Sequence, residues 1–240
     1  MENIVIVDCV RTGLAKSHRG TFNMTRSDDL VAHCIDALLA RNPQLDPAQV
    51  DDVVLGCGRQ IGEQSGNVAR HAVALSQLPI TVPATTISRA CSSGLNSIAI
   101  AATQINSGCA EIMLAGGVES ITGLSRGTPG ESAENPRLMS EKPDMYMAMG
   151  NTAEVVARRY QVTREAQDAY ALSSQQRYAA AEAAGYIKDE IAPMTVQWEK
   201  IVDKETKATA IVEGTVDRDE CNRATTTLDG LTKLSPAFEE

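Results

Sequence analysis

Thr81–Gly108, TVPATTISRACSSGLNSIAIAATQINSG, is the stretch on which the fold turns. The β-branched run from Thr81 to Ser88 follows Pro79 and predicts a buried strand. From Ser92 to Ile105 the residues Leu95, Ile98, Ala99, Ala102 and Ile105 recur at helical spacing, and Gly108 supplies a stop. Cys91 stands between the two, at or just before the first helical turn. Unpaired backbone N–H groups and the positive end of the helix macrodipole stabilise a thiolate there. Ser92, Ser93 and Gly94 are small enough to let a ligand's thioester approach closely. The same pattern also suits a buried, inert cysteine that packs as a small hydrophobe, and the junction alone leaves both readings open.

Working outward, strand and helix alternate through the first half of the chain. Ile4–Val10 is a near-continuous apolar run, as expected of a strand covered on both faces. Thr25-Arg26-Ser27-Asp28 caps a helix running to Leu39. Val50–Gly56 reads as the next strand, Asn67–Leu78 as the next helix, and Glu111–Gly117 as a fourth strand. Strands separated by single helices need crossover connections, so a mostly parallel, helix-covered sheet follows. Beyond Ile121 the texture changes. Ser125–Asp144 reads as a long surface loop. Two helices follow, Asn151–Tyr160 with a capping box in Asn151 and Glu154, and Thr163–Ala184 closed by Gly185. Ile191–Arg223 mixes short β-like pieces with charged turns, which suggests an α+β insertion.

With 240 residues and 43% hydrophobic content the chain can bury one large core or two smaller ones. No run approaches the roughly 20 apolar residues of a membrane span, and Met1-Glu2-Asn3 leads into the apolar run without the basic start of a secretory leader. The six cysteines contain no CxxC pair, which fits reduced thiols in a cytoplasm better than a disulfide framework or a metal site. A net charge of −9 opposes nucleic-acid binding. It also opposes an anionic ligand unless a local basic patch prevails. The candidates for such a patch are Lys200, Lys204, Lys207, Arg218, Arg223 and Lys233, of which Arg223 is singled out below.

Four segments, Ile87–Leu95 (ISRACSSGL), Leu114–Ile121 (LAGGVESI), Met149–Ala157 (MGNTAEVVA) and Thr227–Phe238 (TLDGLTKLSPAF), lie in an order and at spacings that resemble the thiolase family. The resemblance runs from Ile4 to the last residue and covers the first part of a thiolase. It implies an α/β fold of the thiolase type: a first α/β half with a helix-covered mixed sheet over residues 1–121, and an inserted α+β loop domain over 122–240 that binds coenzyme A and oligomerises. The second α/β half of the family has no counterpart in the sequence.

The same resemblance assigns roles. Cys91 would take the acyl group of an acyl-CoA or 3-ketoacyl-CoA as a thioester, and its own N–H would help form the oxyanion hole. Met149 matches a methionine lining the pantetheine tunnel, Arg223 an arginine against the adenine, and Leu231 and Phe238 apolar tunnel residues. Met149, Leu231 and Phe238 also suit ordinary core. The implied substrate is coenzyme A or acyl-CoA, with no permanently bound cofactor and no metal. The implied partners are a second copy or a tetramer, plus the C-terminal half or a separate subunit, with neither nucleic acid nor membrane. The family's activating histidine, second cysteine and water-fixing asparagine belong to that second half. His18, His33 and His71 read as structural or surface residues, Cys9, Cys34, Cys57 and Cys109 as core, and Cys221 as a loop residue. Ala148, Gly230 and Ser88 depart from residues common in the family, and Ala148 leans towards the degradative type. A ketoacyl-synthase-like condensing enzyme and a truncated, noncatalytic chain that binds coenzyme A or dimerises are the alternatives.

Overall fold

A computed structural model describes residues 4–126, 135–203 and 205–238. One compact unit is built on a three-stranded parallel sheet of β1 (Asp52–Gly56), β2 (Ala84–Ile87) and β3 (Met113–Gly117), in the order β2-β1-β3. Val53 faces Ala84 on one side and Leu114 on the other. β1 is central and apolar on both faces, and its residues from Val53 to Gly56 are buried. Asp51 sets the entry to β3, because its carboxylate accepts the N–H groups of Glu111 at 2.7 Å and Ile112 at 3.0 Å. Those two bonds hold the Asp51 carboxyl below the usual carboxylate range.

Side chains alternate across a strand, so the two faces of β1 meet different helices. Val53 and Leu55, with Cys57 beyond the strand, pack with Val31, Ile35 and Leu39 of α1 (Ser27–Arg41) and Val68, Ala69, Ala72 and Val73 of α2 (Val68–Leu75). Gly56 points the other way, towards α3 (Ser93–Asn106). The buried stripe of α3 is Ser93, Ser97 and Ala101, spaced four residues apart. These are small residues, so the helix lies close against the sheet. The expected helices over Asn67–Leu78 and Ser92–Ile105 are thus present. Asn67 caps α2 by accepting the N–H of Arg70 at 3.4 Å.

The expected strand at Ile4–Val10 is corrected by the structure. These residues form no strand, and Val5, Ile6 and Val7 are 70%, 76% and 80% exposed. A strand exists only through a neighbouring strand's backbone hydrogen bonds, and among the described residues no strand pairs with this segment, whose Asp8 is met instead by the side chains of Arg41 and Asn42. The nearest pairing is an isolated bridge between Arg11 and Ile191, where Arg11 donates to the carbonyl of Glu190 and Ala192 donates to the carbonyl of Arg11, each at 2.8 Å.

The β-like pieces after Ile191 form one antiparallel hairpin, β4 (Met194–Ile201) and β5 (Thr209–Val216). Thr195 and Thr215 share a hydroxyl hydrogen bond at 3.0 Å across it. Val196 and Val216 pack on Phe22, with Trp198 alongside. For this reason the hairpin is part of the first compact unit, Met1–Gly130 with Lys188–Cys221, and the compact units do not divide at residue 121. Within this unit Arg11 donates to both oxygens of the buried Asp219, at 2.6 and 2.9 Å, and to Glu190 at 2.8 Å.

The second unit, Glu131–Ile187 with Asn222–Glu240, is helical. It holds α4 (Pro136–Glu141), α5 (Met149–Tyr160), α6 (Arg164–Ala183) and α7 (Leu228–Thr232). α4 and the start of a 3-10 turn at Pro143–Tyr146 fall within the segment expected to be loop, of which 127–134 lie outside the described residues. α5 begins at Met149, so Asn151 is internal to the helix and the expected capping box does not form. α6 is capped by Thr163, which accepts the N–H of Ala166 at 3.2 Å, and it ends before Gly185 at φ +81°. Arg164 ties α6 to the C-terminal segment by donating to the carbonyls of Leu231 at 2.7 Å and Leu234 at 2.8 Å. Among the described residues no helix is long and apolar enough to cross a membrane.

Candidate active site

Open parallel sheets collect their functional groups beyond the carboxyl ends of the strands. Here the loops that leave β1, β2 and β3 meet at that end. Cys57 donates its N–H to the carbonyl of Ile87 at 2.9 Å, and Val118 donates to Gly56 at 3.0 Å. Cys91 sits on the β2 loop, two residues before α3, and is exposed. Cys91 is therefore not a buried core thiol.

The turn that presents Cys91 is braced by serines. Ser92 donates both its N–H, at 3.1 Å, and its hydroxyl, at 2.9 Å, to the carbonyl of Arg89. Ser93 donates its N–H at 3.1 Å and its hydroxyl at 2.6 Å to the carbonyl of Ala90, and its hydroxyl oxygen accepts the N–H of Arg89 at 2.8 Å. These bonds hold Ala90 at φ +46°, a left-handed conformation that costs a non-glycine residue about 1–2 kcal/mol. Close packing fixes the turn from beneath. A Cβ on Gly56 would stand 2.2 Å from the carbonyl carbon of Ser93, and one on Gly117 would stand 3.1 Å from the Cα of Gly94. Ser97, fully buried, has its hydroxyl 2.7 Å from the carbonyl of Gly116 on β3.

Sequence reasoning missed a set of polar residues below this turn. Gln64 is 0% exposed and has every polar atom engaged. Its amide donates to the carbonyl of Arg59 at 2.8 Å and to Glu119 at 2.9 Å, and its carbonyl accepts the N–H of Ser120 at 2.5 Å. The other Glu119 oxygen accepts the N–H of Gly58 at 2.7 Å. Beside them the buried Glu63 accepts from Ser27 and from Arg126 at 3.1 Å. Glu119 lies inside the AGGVES segment quoted above, but nothing local in the sequence marks Gln64 as its partner.

The other cysteines divide differently from the expectation. Cys57 is 0% exposed, and burial together with the neighbouring Glu119 carboxylate pushes its thiol up to about 11. Cys34 is half-buried, and desolvation pushes its thiol up as well. Cys9 and Cys109, expected in the core, are exposed because their segments run along the surface, and Cys221 is exposed. His33 turns its Nε2 to the carbonyl of Ala192 at 3.3 Å, while His18 and His71 are exposed. None of the three touches Cys91 through a hydrogen bond among the described residues.

The residues matched to coenzyme A all belong to the second unit, whereas Cys91 belongs to the first. Met149 opens α5 and is 72% exposed, so it is not core. Phe238, 60% exposed, lays its ring where a Cβ on Gly150 would come within 2.1 Å of it, next to Met149. Leu231 is half-buried in α7, whose cap Thr227 accepts the N–H of Gly230 at 3.1 Å. The exposed Arg223 donates its backbone N–H to the Gln175 side chain at 2.7 Å, and Asn222 donates to the same oxygen at 2.9 Å. Among the basic-patch candidates Lys204 lies outside the described residues, and Lys233 pairs with Asp229 at 2.6 Å.

Comparison with known proteins agrees with this architecture. The chain is 42% identical to a beta-ketoadipyl-CoA thiolase of Acinetobacter baylyi, over 98% of this chain and 59% of that protein. It is 39% identical to a 3-ketoacyl-CoA thiolase of Cronobacter sakazakii, over 100% of this chain and 59% of that protein. The crystal structure of the Bacillus anthracis acetyl-CoA acetyltransferase superposes with a TM-score of 0.82 at 31% identity, covering 100% of this chain and 60% of that one. The chain thus spans 59% of the length of the curated relatives it matches. Residues 4–240 match the family model described as thiolase, N-terminal domain, and the chain belongs to the thiolase family.

Proposed function

We propose that this chain supplies the acyl-accepting half of a thiolase. Cys91 attacks the thioester carbonyl carbon of an acyl-CoA or the 3-keto carbonyl carbon of a 3-ketoacyl-CoA. A new carbon–sulfur bond forms to Cys91, the carbon–sulfur bond to the departing group's sulfur or the carbon–carbon bond of the ketoacyl group breaks, and the leaving group takes up a proton. Transfer of that acyl group to coenzyme A, or to the enolate of acetyl-CoA, completes thiolysis or synthesis. The observation that carries the reading is the exposed Cys91 held by Ser92 and Ser93 between β2 and α3. Coenzyme A is the substrate that Met149, Arg223, Leu231 and Phe238 would hold, and a homodimer or homotetramer is the assembly proposed with it.

Activation of the thiol needs a base within hydrogen-bond reach. The described histidines do not provide one, so a group outside these residues is required for turnover. That observation favours a second reading, a chain that binds coenzyme A without catalysis. Intact-mass spectrometry before and after incubation with acetyl-CoA separates the two. An acetyl adduct that disappears in Cys91→Ala supports the acyl-accepting role. Retained coenzyme A binding with no adduct, even after addition of the complementary half of a thiolase, supports the noncatalytic one.

A further inference from the structure

We propose that Glu119, acting with Gln64, is a positioning residue for Cys91: it ties the loops after β1 and β3 together and so holds the turn between Arg89 and Ser93. The inference rests on the acyl-accepting role of Cys91 proposed above.

The argument begins with what Glu119 joins. One oxygen meets the N–H of Gly58, on the β1 loop, at 2.7 Å, and the other meets the Gln64 amide at 2.9 Å. Gln64 in turn holds the next residue after Glu119, accepting the N–H of Ser120 at 2.5 Å, and holds Arg59 through its carbonyl at 2.8 Å. Gly58 is therefore pinned from both sides in sequence. It is also the point of contact with the cysteine turn. Ser88 donates its hydroxyl to the Gly58 carbonyl at 3.2 Å, and a Cβ on Gly58 would stand 2.8 Å from Glu119 Oε2 and 3.1 Å from the carbonyl of Ala90. Ala90 is the strained residue immediately before Cys91, so a carboxylate some thirty residues away in sequence acts on the nucleophile through one glycine.

A carboxylate suits this place better than an amide would. Both partners are donors, so Glu119 must accept twice. A glutamine there could accept from Gly58 but would present its NH₂ to the Gln64 NH₂. Gln64 cannot turn over to receive it, because its carbonyl already serves Ser120 and lies 3.3 Å from the Ser27 hydroxyl. Gln64 is wholly buried, so each bond it loses leaves a desolvated group without a partner.

The test uses the purified chain and the variants Glu119→Ala and Glu119→Gln. Hydrogen exchange read by mass spectrometry is expected to rise about tenfold in the peptides covering 57–61 and 88–93, more in the alanine variant than in the glutamine variant, with α1 and α2 unchanged. Acylation of Cys91 by acetyl-CoA should slow by roughly 10- to 100-fold, the size of effect that follows from misplacing a reacting group by about 1 Å. Alkylation of Cys91 by iodoacetamide, which needs access and the thiolate but no alignment with a bound thioester, should stay within about twofold. Unchanged exchange in 88–93, or a rise spread through α1 and α2, overturns the tether. Parental rates of acylation in Glu119→Ala overturn the positioning role while leaving the acyl-accepting role intact. If the unaltered chain takes no acetyl group even with the complementary half of a thiolase added, the functional reading fails, and the exchange measurement still decides whether Glu119 holds the turn.

Discussion

Gly56 on β1 and Ser93 at the start of α3 approach so closely that a Cβ on Gly56 would fall 2.2 Å from the Ser93 carbonyl carbon and 2.4 Å from its oxygen. Both atoms are backbone, so neither can rotate away. Gly56→Ala must push the first turn of α3 off the sheet, and with it the serines that brace Cys91. A loss of about 3 kcal/mol in unfolding free energy, read from urea denaturation, is expected for such overpacking. Gly116, one strand over, has open space where its Cβ would go. Gly116→Ala should change stability by no more than about 0.5 kcal/mol, and an equal effect of the two variants would refute the close-approach argument.

The salt bridge between Arg11 and Asp219 supports the same unit from its other end. Asp219 has a side chain only 2% exposed and also accepts the N–H of Leu14 at 2.7 Å. Truncating it strands that donor and leaves the guanidinium with Glu190, which is itself 42% exposed. Asp219→Ala should cost about 2 kcal/mol, less than a fully buried pair would because Arg11 is partly solvated and keeps Glu190 and the Thr12 carbonyl as partners. Asp219→Asn can still accept from Leu14 and should cost less. The midpoint of thermal unfolding reports both, and equal midpoints for the alanine variant and the parent would rule out a stabilising role.

Which parts of this molecule were readable in advance follows from how local each signal is. The strand, Cys91 and α3 were legible because Leu95, Ile98 and Ala102 repeat within a few turns and Gly108 ends the pattern. The run at Ile4–Val10 has the same apolar character, yet no strand forms, because strandness is a property of two segments and its partner is not encoded nearby. The bonds of Gln64 to Glu119 and Ser120 span 55 and 56 residues of chain. Composition and periodicity carry no trace of such pairs. The residues resembling a coenzyme A site were legible only as a family pattern, since Met149 and Phe238 are exposed apolar side chains with no local logic of their own.

Cys57 gives a pH dependence whose sign can be worked out. Its thiol is raised in the folded protein to about 11 and returns to the ordinary thiol value on unfolding. Between those values the unfolded chain releases the proton and the folded chain keeps it, so the unfolded state is favoured as pH rises. The contribution is fully present below about pH 8.5 and is lost as pH climbs towards about 11. Over the whole window its size is on the order of 3 kcal/mol. Cys57→Ala should flatten the fall in stability over this window, measured by urea unfolding at pH 8, 9 and 10. A parental slope in that variant would assign the alkaline loss to other groups.

Arg223 offers the most direct test of the coenzyme A reading. Gln175 and Asn222 fix its backbone, and its exposed guanidinium is free to lie flat against a planar base. Stacking of this kind contributes about 1 kcal/mol at an exposed site, so Arg223→Ala should weaken coenzyme A binding roughly fivefold by titration calorimetry. Arg223→Lys keeps the charge and loses the plane. If the contact is stacking on adenine, the lysine variant binds as weakly as alanine; if it is only attraction to phosphate, lysine restores the parental affinity. An unchanged Kd in both variants would remove Arg223 from the site.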